Sequence, residues 1–306
     1  MKSPAETSSA IDSAICDVAR IARKRAAARA PDGSAAAFLL DEVLEVRTFE
    51  SFPGLRTVLP DLLAALADTP NRFVLATRFF TRARRLFDGA PARFELHQLP
   101  PLDGDEVQSL LADAFAGSRA PLIDDATARA VHALTCGHRG HVHLIASQMA
   151  AMSREGAADP LSALAALLSP GGRLSDACQY CYEFRLHRAR GYGALKAILD
   201  VLAEEEPLTL TGISQRLRRT PGSTKDYLSW LEDVDLVHVA RKRYRIADPL
   251  LRLWLRLSGR PEPPGEEDVA REVHLYALER LGGRGIEPAG VLAGVPGGRG
   301  DIIEFD

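Results

Sequence analysis

Two short apolar runs constrain this chain more than any other feature. "AAAFLLDEV" (35–43) sets six apolar residues directly before Asp41 and Glu42, and "RFVLATR" (72–78) ends on Thr77 and Arg78. Both read as buried strands. Between them, "PGLRTVLPDLLAALADT" (53–69) has leucines on one face and predicts a helix beginning near Pro60, whose fixed φ suits a first helical turn. Strand, helix, strand argues for a parallel sheet covered by helices. A third, alternating strand is expected over 93–102, "RFELHQLPPL". Burying an ionised carboxylate is costly unless it is paired. Adjacent acids at the end of an apolar run therefore suggest a strand that opens onto a site. The alternative is a strand that ends in a solvated loop.

The flanking segments are helical. Ile11, Ile15, Val18 and Ala22 predict a helix over 5–29, and its basic end (Arg20, Arg23, Lys24, Arg25, Arg29) suits the helix dipole. "APDGS" (30–34) reads as a turn. After Leu102 another helix begins, capped by Asp103 or Asp105. Residues 117–168 form an all-helical region. "DDATARAVHALT" and "GHVHLIASQMAAMS" are split by a glycine-containing turn, and "DPLSALAALLSPGG" adds a third helix. From 190 to 257 the order is three helices and a hairpin. The helices are "GYGALKAILDVLAEEE", "TLTGISQRLRR" and "TPGSTKDYLSWLEDVD", the last following a turn that contains Pro221 and Gly222. "LVHVARKRYRIAD" supplies two β-branched runs around a basic turn. This is the order of a winged helix. Residues 259–300 begin rich in proline and glycine, hold one helix near 266–281 and end in glycine-rich loops.

Composition narrows the function classes. A net charge of -3 and a pI near 6.3 give no global attraction to nucleic acid. Four cysteines in a chain of this length do not make a secreted disulfide framework. No apolar signal core starts the chain and no stretch approaches 18 uninterrupted apolar residues, so a cytoplasmic protein without a membrane partner is expected. Cys178 and Cys181, with His187 nearby, have half of a zinc spacing without its second half, and on a helix such a pair is ordinary packing. His132, His138, His141 and His143 span a turn with no supporting acid or cysteine cluster.

The strand ending in Asp41 and Glu42 resembles the Walker B strand of P-loop ATPases, and the order of the segments downstream resembles AAA+ ATPases. The resemblance implies that Asp41 holds Mg²⁺ and that Glu42 orients the attacking water. It makes Thr77, at the end of the next strand, a sensor near the γ-phosphate. Arg78, Arg82, Arg84 and Arg85 come directly after it; one could face a phosphate, the rest being solvated. "LPPLDGDEVQSLL" resembles the passage from the last core strand into the helical lid, and "TCGHRGHVHLIASQMA" resembles the lid turn, where Arg139 would approach the nucleotide. "YRIADPLLRLWLRL" (244–257) resembles the end of the winged helix in archaeal-type ATPases of the AAA+/STAND group, through Tyr244, Ile246, Asp248, Pro249 and Trp254. The resemblance covers roughly 35–257.

It implies an α/β fold: a partial P-loop NTPase core with a parallel sheet over 1–116, an all-helical lid over 117–189, a winged-helix domain over 190–258 and a tail over 259–306. The implied cofactors are ATP and Mg²⁺. One part is missing. A P-loop needs G-x-x-x-x-G-K-[ST], and none of Lys2, Lys24, Lys196, Lys225 and Lys242 follows a glycine. The expectation is a truncated or degenerate ATPase in which these 306 residues neither bind nucleotide tightly nor hydrolyse it. The competing expectation is a non-catalytic winged-helix module that binds DNA or a protein. Arg218, Arg219, Lys225, Arg241, Lys242 and Arg243 are its candidate DNA contacts, with Arg216 and Arg245 beside them. On the third helix Ser223, Thr224 and Tyr227 could read bases, while Asp226, Glu232 and Asp233 oppose phosphate. The closing "RGDIIEFD" offers Asp301 and Glu304 but no following lysine, so no nuclease activity is assigned.

Overall fold

A computed structural model describes residues 35–52, 54–87, 94–116, 124–153, 159–186, 191–260 and 262–282. The helix expected over 5–29, the turn at 30–34, His187, the terminal glycine-rich loops, Asp301 and Glu304 lie outside the described residues. The described residues up to Gln98 form one compact unit, and those from Leu99 onward form another.

In the first unit, β1 (Ala37–Leu40) and β2 (Arg72–Leu75) pair in parallel, from Ala37 opposite Arg72 to Leu40 opposite Leu75. A 3-10 helix (Val43–Ser51) and α1 (Val58–Ala67) make the crossover, and α2 (Phe80–Phe87) comes after β2. Helix α1 starts just before Pro60 and buries Leu59, Leu63 and Leu66. Val43, Leu44, Phe79 and Ala83 complete the apolar interior. The strand pair is extended at both ends. The Asn71 side chain accepts from Ala36 N at 2.9 Å, and Val43 N donates to Ala76 O at 3.1 Å.

Two expectations for this unit fail. The strands are not buried on both faces: Leu39 is 80% and Val74 60% exposed. An unbroken apolar run permits two-sided burial, but burial needs an element packed on the second face. Residues 94–102 alternate in exposure at their start yet form no strand among the described residues. Alternation alone does not make a strand without a ladder partner, and Pro100 and Pro101 withdraw two amide donors.

The second unit opens with α3 (Gly104–Phe115), α4 (Asp125–Thr135), α5 (Arg139–Ser153), α6 (Pro160–Leu168) and α7 (Arg173–Leu186). The expected capping of α3 is met by Asp103. Its side chain accepts from Glu106 N, while Glu106 accepts from Asp103 N, a reciprocal box. Asp124 and Asp159 cap α4 and α6 through their own side chains. Helix α3 packs on α4 and α5, so it belongs with the helices after it.

Next come α8 (Tyr192–Glu204), β3 (Leu208–Thr209), α9 (Leu210–Arg216), α10 (Pro221–Asp233), β4 (Val237–Ala240) and β5 (Arg243–Ile246). The strands form an antiparallel sheet in the order β3-β5-β4. The "TLTGISQRLRR" helix gives up its first residue to β3. Pro221 and Gly222 are not in a turn: Thr220 is the N-cap and Pro221 the first helical residue, where its missing N–H costs nothing. Arg241 and Lys242 join β4 to β5 with φ of 50° and 63°, as a two-residue hairpin demands. Helices α11 (Pro249–Ser258) and α12 (Glu266–Leu281) close the unit. Asp248 caps α11, whose buried leucines pack on α8, and α12 lies on α4, α6 and α11. Among the described residues no helix is long and apolar enough to cross a membrane.

Candidate functional site

The parallel pairing of β1 and β2 brings Asp41, Glu42, Thr77 and Arg78 together at the carboxyl ends of two adjacent strands, where open α/β sheets bind ligands. Immediately after β1 the chain turns sharply. Glu42 has φ 49° and ψ 42°, the left-handed region that costs a non-glycine residue roughly 1 kcal/mol. Asp41 holds this turn, its Oδ1 accepting from Glu42 N at 2.9 Å. The turn directs the Glu42 carboxylate across to β2, where Oε1 pairs with Arg78 Nε. Its other oxygen, Oε2, is buried and has no hydrogen-bond partner among the described residues. Thr77 is half-buried and accepts from Phe79 N at 3.2 Å, which shapes the entry to α2.

The donor set meets part of the requirement for a bound metal nucleotide. Asp41 is exposed with one carboxylate oxygen uncommitted in the turn, whereas the second oxygen of Glu42, though unpartnered, is buried. Glycine-framed backbone amides for the phosphates, followed by a lysine, occur nowhere in the sequence. Glu42 is committed to Arg78, so its carboxylate is not free to act as a base in this arrangement. The pairing of Glu42 with Arg78 is not legible in the sequence as a contact, although the parallel register carries the signal for it.

Arg139 lies in the second unit, exposed at the first position of α5. Three of the histidines around it make contacts within the fold, while His143 is exposed on α5. His138 precedes α5, its Nδ1 accepting from His141 N at 3.4 Å while the two rings meet tilted, with centroids 4.0 Å apart. Although the residue as a whole is exposed, desolvation of its ring and the neighbouring His141 hold the His138 imidazole down to about 4. His141 Nε2 lies 3.4 Å from Asp248 Oδ2, and His132 Nε2 is 3.1 Å from Leu102 O. Cys178 is buried on α7 and burial pushes its thiol well above the usual range, so it is neither a ready ligand nor a nucleophile. Among the described residues no group of three or more His, Cys, Asp and Glu could hold a metal ion.

The basic candidates are all accessible: Arg218 and Arg219 before α10, Lys225 on it, and Arg241, Lys242 and Arg243 at the hairpin. Arg219 stacks over the Tyr227 ring at 5.7 Å, and Arg243 donates to Pro207 O at 3.2 Å. Arg216 is taken up by Glu205. Thr224 is fully buried and donates to Thr220 O, so it cannot read a base.

No family profile matches the chain, and no curated protein matches it in sequence. Its structure is similar to that of the Walker-type ATPase PABY2304 of Pyrococcus abyssi, at 17% identity and a TM-score of 0.52, over 72% of this chain and 63% of that one. The chain thus spans less than two thirds of that ATPase's length. A mutant of RuvB from Thermotoga maritima is similar over 70% of this chain and 76% of its own, at 11% identity and a TM-score of 0.32, too low to argue from. The first similarity shows a helix-rich α/β fold with a small parallel sheet, similar to that of this neighbour.

Proposed function

We propose that the chain is a AAA+/STAND-type ATP-binding protein with Walker B, sensor and lid regions. In this reading Asp41 is the Mg²⁺ residue, Glu42 the water-orienting acid and Thr77 the sensor. The lid is the all-helical region over 117–189, which holds α4 to α7, and residues 190–258 are a winged helix. The observation that carries the reading is the parallel strand pair, which sets these acids beside Thr77 and Arg78 at one sheet edge. Bound Mg²⁺ would neutralise phosphate charge next to Asp41. Glu42, held by Arg78, stays in reserve until that pair opens.

Calorimetric titration of the whole chain with ATP tests this. Binding is expected to be weak and Mg²⁺-dependent, and weakened about tenfold by Asp41→Asn, the loss of one charge-assisted contact. Hydrolysis above background is not expected. ATP binding that ignores both Mg²⁺ and Asp41, or no binding at all, would sink the reading.

A second reading is supported by the exposed basic hairpin: a non-catalytic winged helix that binds DNA or a protein. It predicts duplex-DNA binding that falls steeply with salt, is lost in Arg241→Gln/Arg243→Gln, and is indifferent to ATP. Persistence of DNA binding in that variant would remove the hairpin from consideration.

A further inference from the structure

A cavity of about 290 Å³ lies among β5, α11 and α12 in the second unit. Four guanidinium groups line it, from Arg245, Arg252, Arg256 and Arg280, against only two carboxylates, Glu206 and Glu279. Arg252 is neutralised locally: it lies 3.5 Å from Glu206 and 3.9 Å from Glu279. Arg256 lies 2.8 Å from Glu272. Arg245 and Arg280 make no ion pair among the described residues. Arg280 stacks over the Tyr276 ring at 5.4 Å and donates to Cys136 Sγ at 3.4 Å, a weak acceptor. Arg245 makes no side-chain hydrogen bond among the described residues, and it is half-buried.

Glu206 is engaged elsewhere, 3.5 Å from Arg252. Its Oε2 accepts from Ile246 N at 2.7 Å, and burial raises its carboxyl above the usual range despite the arginines around it. Arg245 and Arg280 are thus held at the cavity without an ion pair among the described residues. Packing alone gives no reason for them. An arginine fork matches phosphate oxygens in pairs, and two forks without an ion pair facing one cavity match a phosphate. The cavity sits at the lower end of small-molecule sites, which run from about 300 Å³ upward. It is too confined for a nucleic-acid strand to run through.

We propose that this cavity binds a small phosphate anion, either free phosphate or the phosphoryl group of a small monoester, held by Arg245 and Arg280. The site lies apart from Asp41 and Glu42 in sequence and in unit, and does not depend on the ATP-binding reading.

The test is calorimetry on the whole chain, titrated with inorganic phosphate and with ribose phosphate at one ionic strength set by chloride. At least one of them is expected to saturate a single site. Arg245→Gln and Arg280→Gln should each weaken it about 10- to 100-fold, as the loss of a charge-assisted hydrogen bond does. Tighter ribose phosphate assigns an organic ligand, and equal or tighter free phosphate assigns the ion; either result supports the site. Arg245 has no ion pair to lose among the described residues, so Arg245→Gln should leave the unliganded melting temperature unchanged or higher, and that variant suffices if Arg280→Gln fails to fold. Arg241→Gln/Lys242→Gln, at the hairpin, should leave phosphate binding intact. No binding of either probe at millimolar concentration would overturn the proposal. So would phosphate binding that survives Arg245→Gln, or an Arg245→Gln variant that loses duplex-DNA binding while the parent binds no phosphate.

Discussion

Tyr276→Phe removes one oxygen atom from the protein and should cost about 2 kcal/mol. Tyr276 is buried on α12, and its hydroxyl donates to Leu134 O at 2.6 Å across 142 residues of sequence. Leu134 stands in the last turn of α4, where carbonyls have lost their intrahelical donors. The amides that might replace Tyr276 are spent elsewhere: Gly137 N donates to Thr135 Oγ1 and His138 N to Thr135 O. The variant therefore loses a net hydrogen bond worth about 1 kcal/mol and also strands a buried carbonyl, for about 1–3 kcal/mol together. The ring stays, so packing is unchanged. For a unit of this size each kcal/mol moves the melting temperature by about 2–4 °C, so a fall of about 4–8 °C is expected. Urea unfolding followed by circular dichroism gives the free energy directly, and Leu278→Ala, on the exposed face of α12, serves as a control expected within about 0.5 kcal/mol of the parent. A Tyr276→Phe midpoint indistinguishable from the parent's would mean that α12 does not cap α4.

Three further changes probe the same unit. Gly137→Ala should destabilise by more than about 3 kcal/mol in chemical denaturation, because φ is +70° and a Cβ would come within 2.1 Å of Leu102 O. His138→Gln tests pH dependence. With the folded-state pKa near 4, below the free value of 6.5, the cap's stabilisation is complete above pH 6.5 and is lost as pH falls towards 4. The parent, but not His138→Gln, should lose stability progressively across that window, and parallel curves would discount the cap. Glu272→Ala should cost about 1–3 kcal/mol, since Arg256 loses its buried carboxylate while Arg260 keeps Asp268; a loss below about 0.5 kcal/mol would show that solvent screens the pair.

What the sequence determined by itself was local. Helix starts were legible because the caps are short-range chemistry: Asp103 with Glu106, Asp124, Asp159 before Pro160, and Asp248 before Pro249 all act within four residues. The hairpin around Arg241 and Lys242 and the last helix over 266–281 were legible for the same reason. So was the strand ending in Asp41 and Glu42, and with it half of the candidate site.

Tertiary structure alone decided which distant groups meet. A strand exists only by pairing, so the alternation over 94–97 could not make one without a neighbour, and apolarity could not say that Leu39 and Val74 would face outward. The tie of Glu42 to Arg78 spans 36 residues, and that of Tyr276 to Leu134 spans 142. Arg245 and Arg280 face one cavity only because β5 and α12 are brought side by side. Periodicity and capping follow from the geometry of a single element. Charge balance in a site depends on how several elements pack, which no single stretch of sequence encodes.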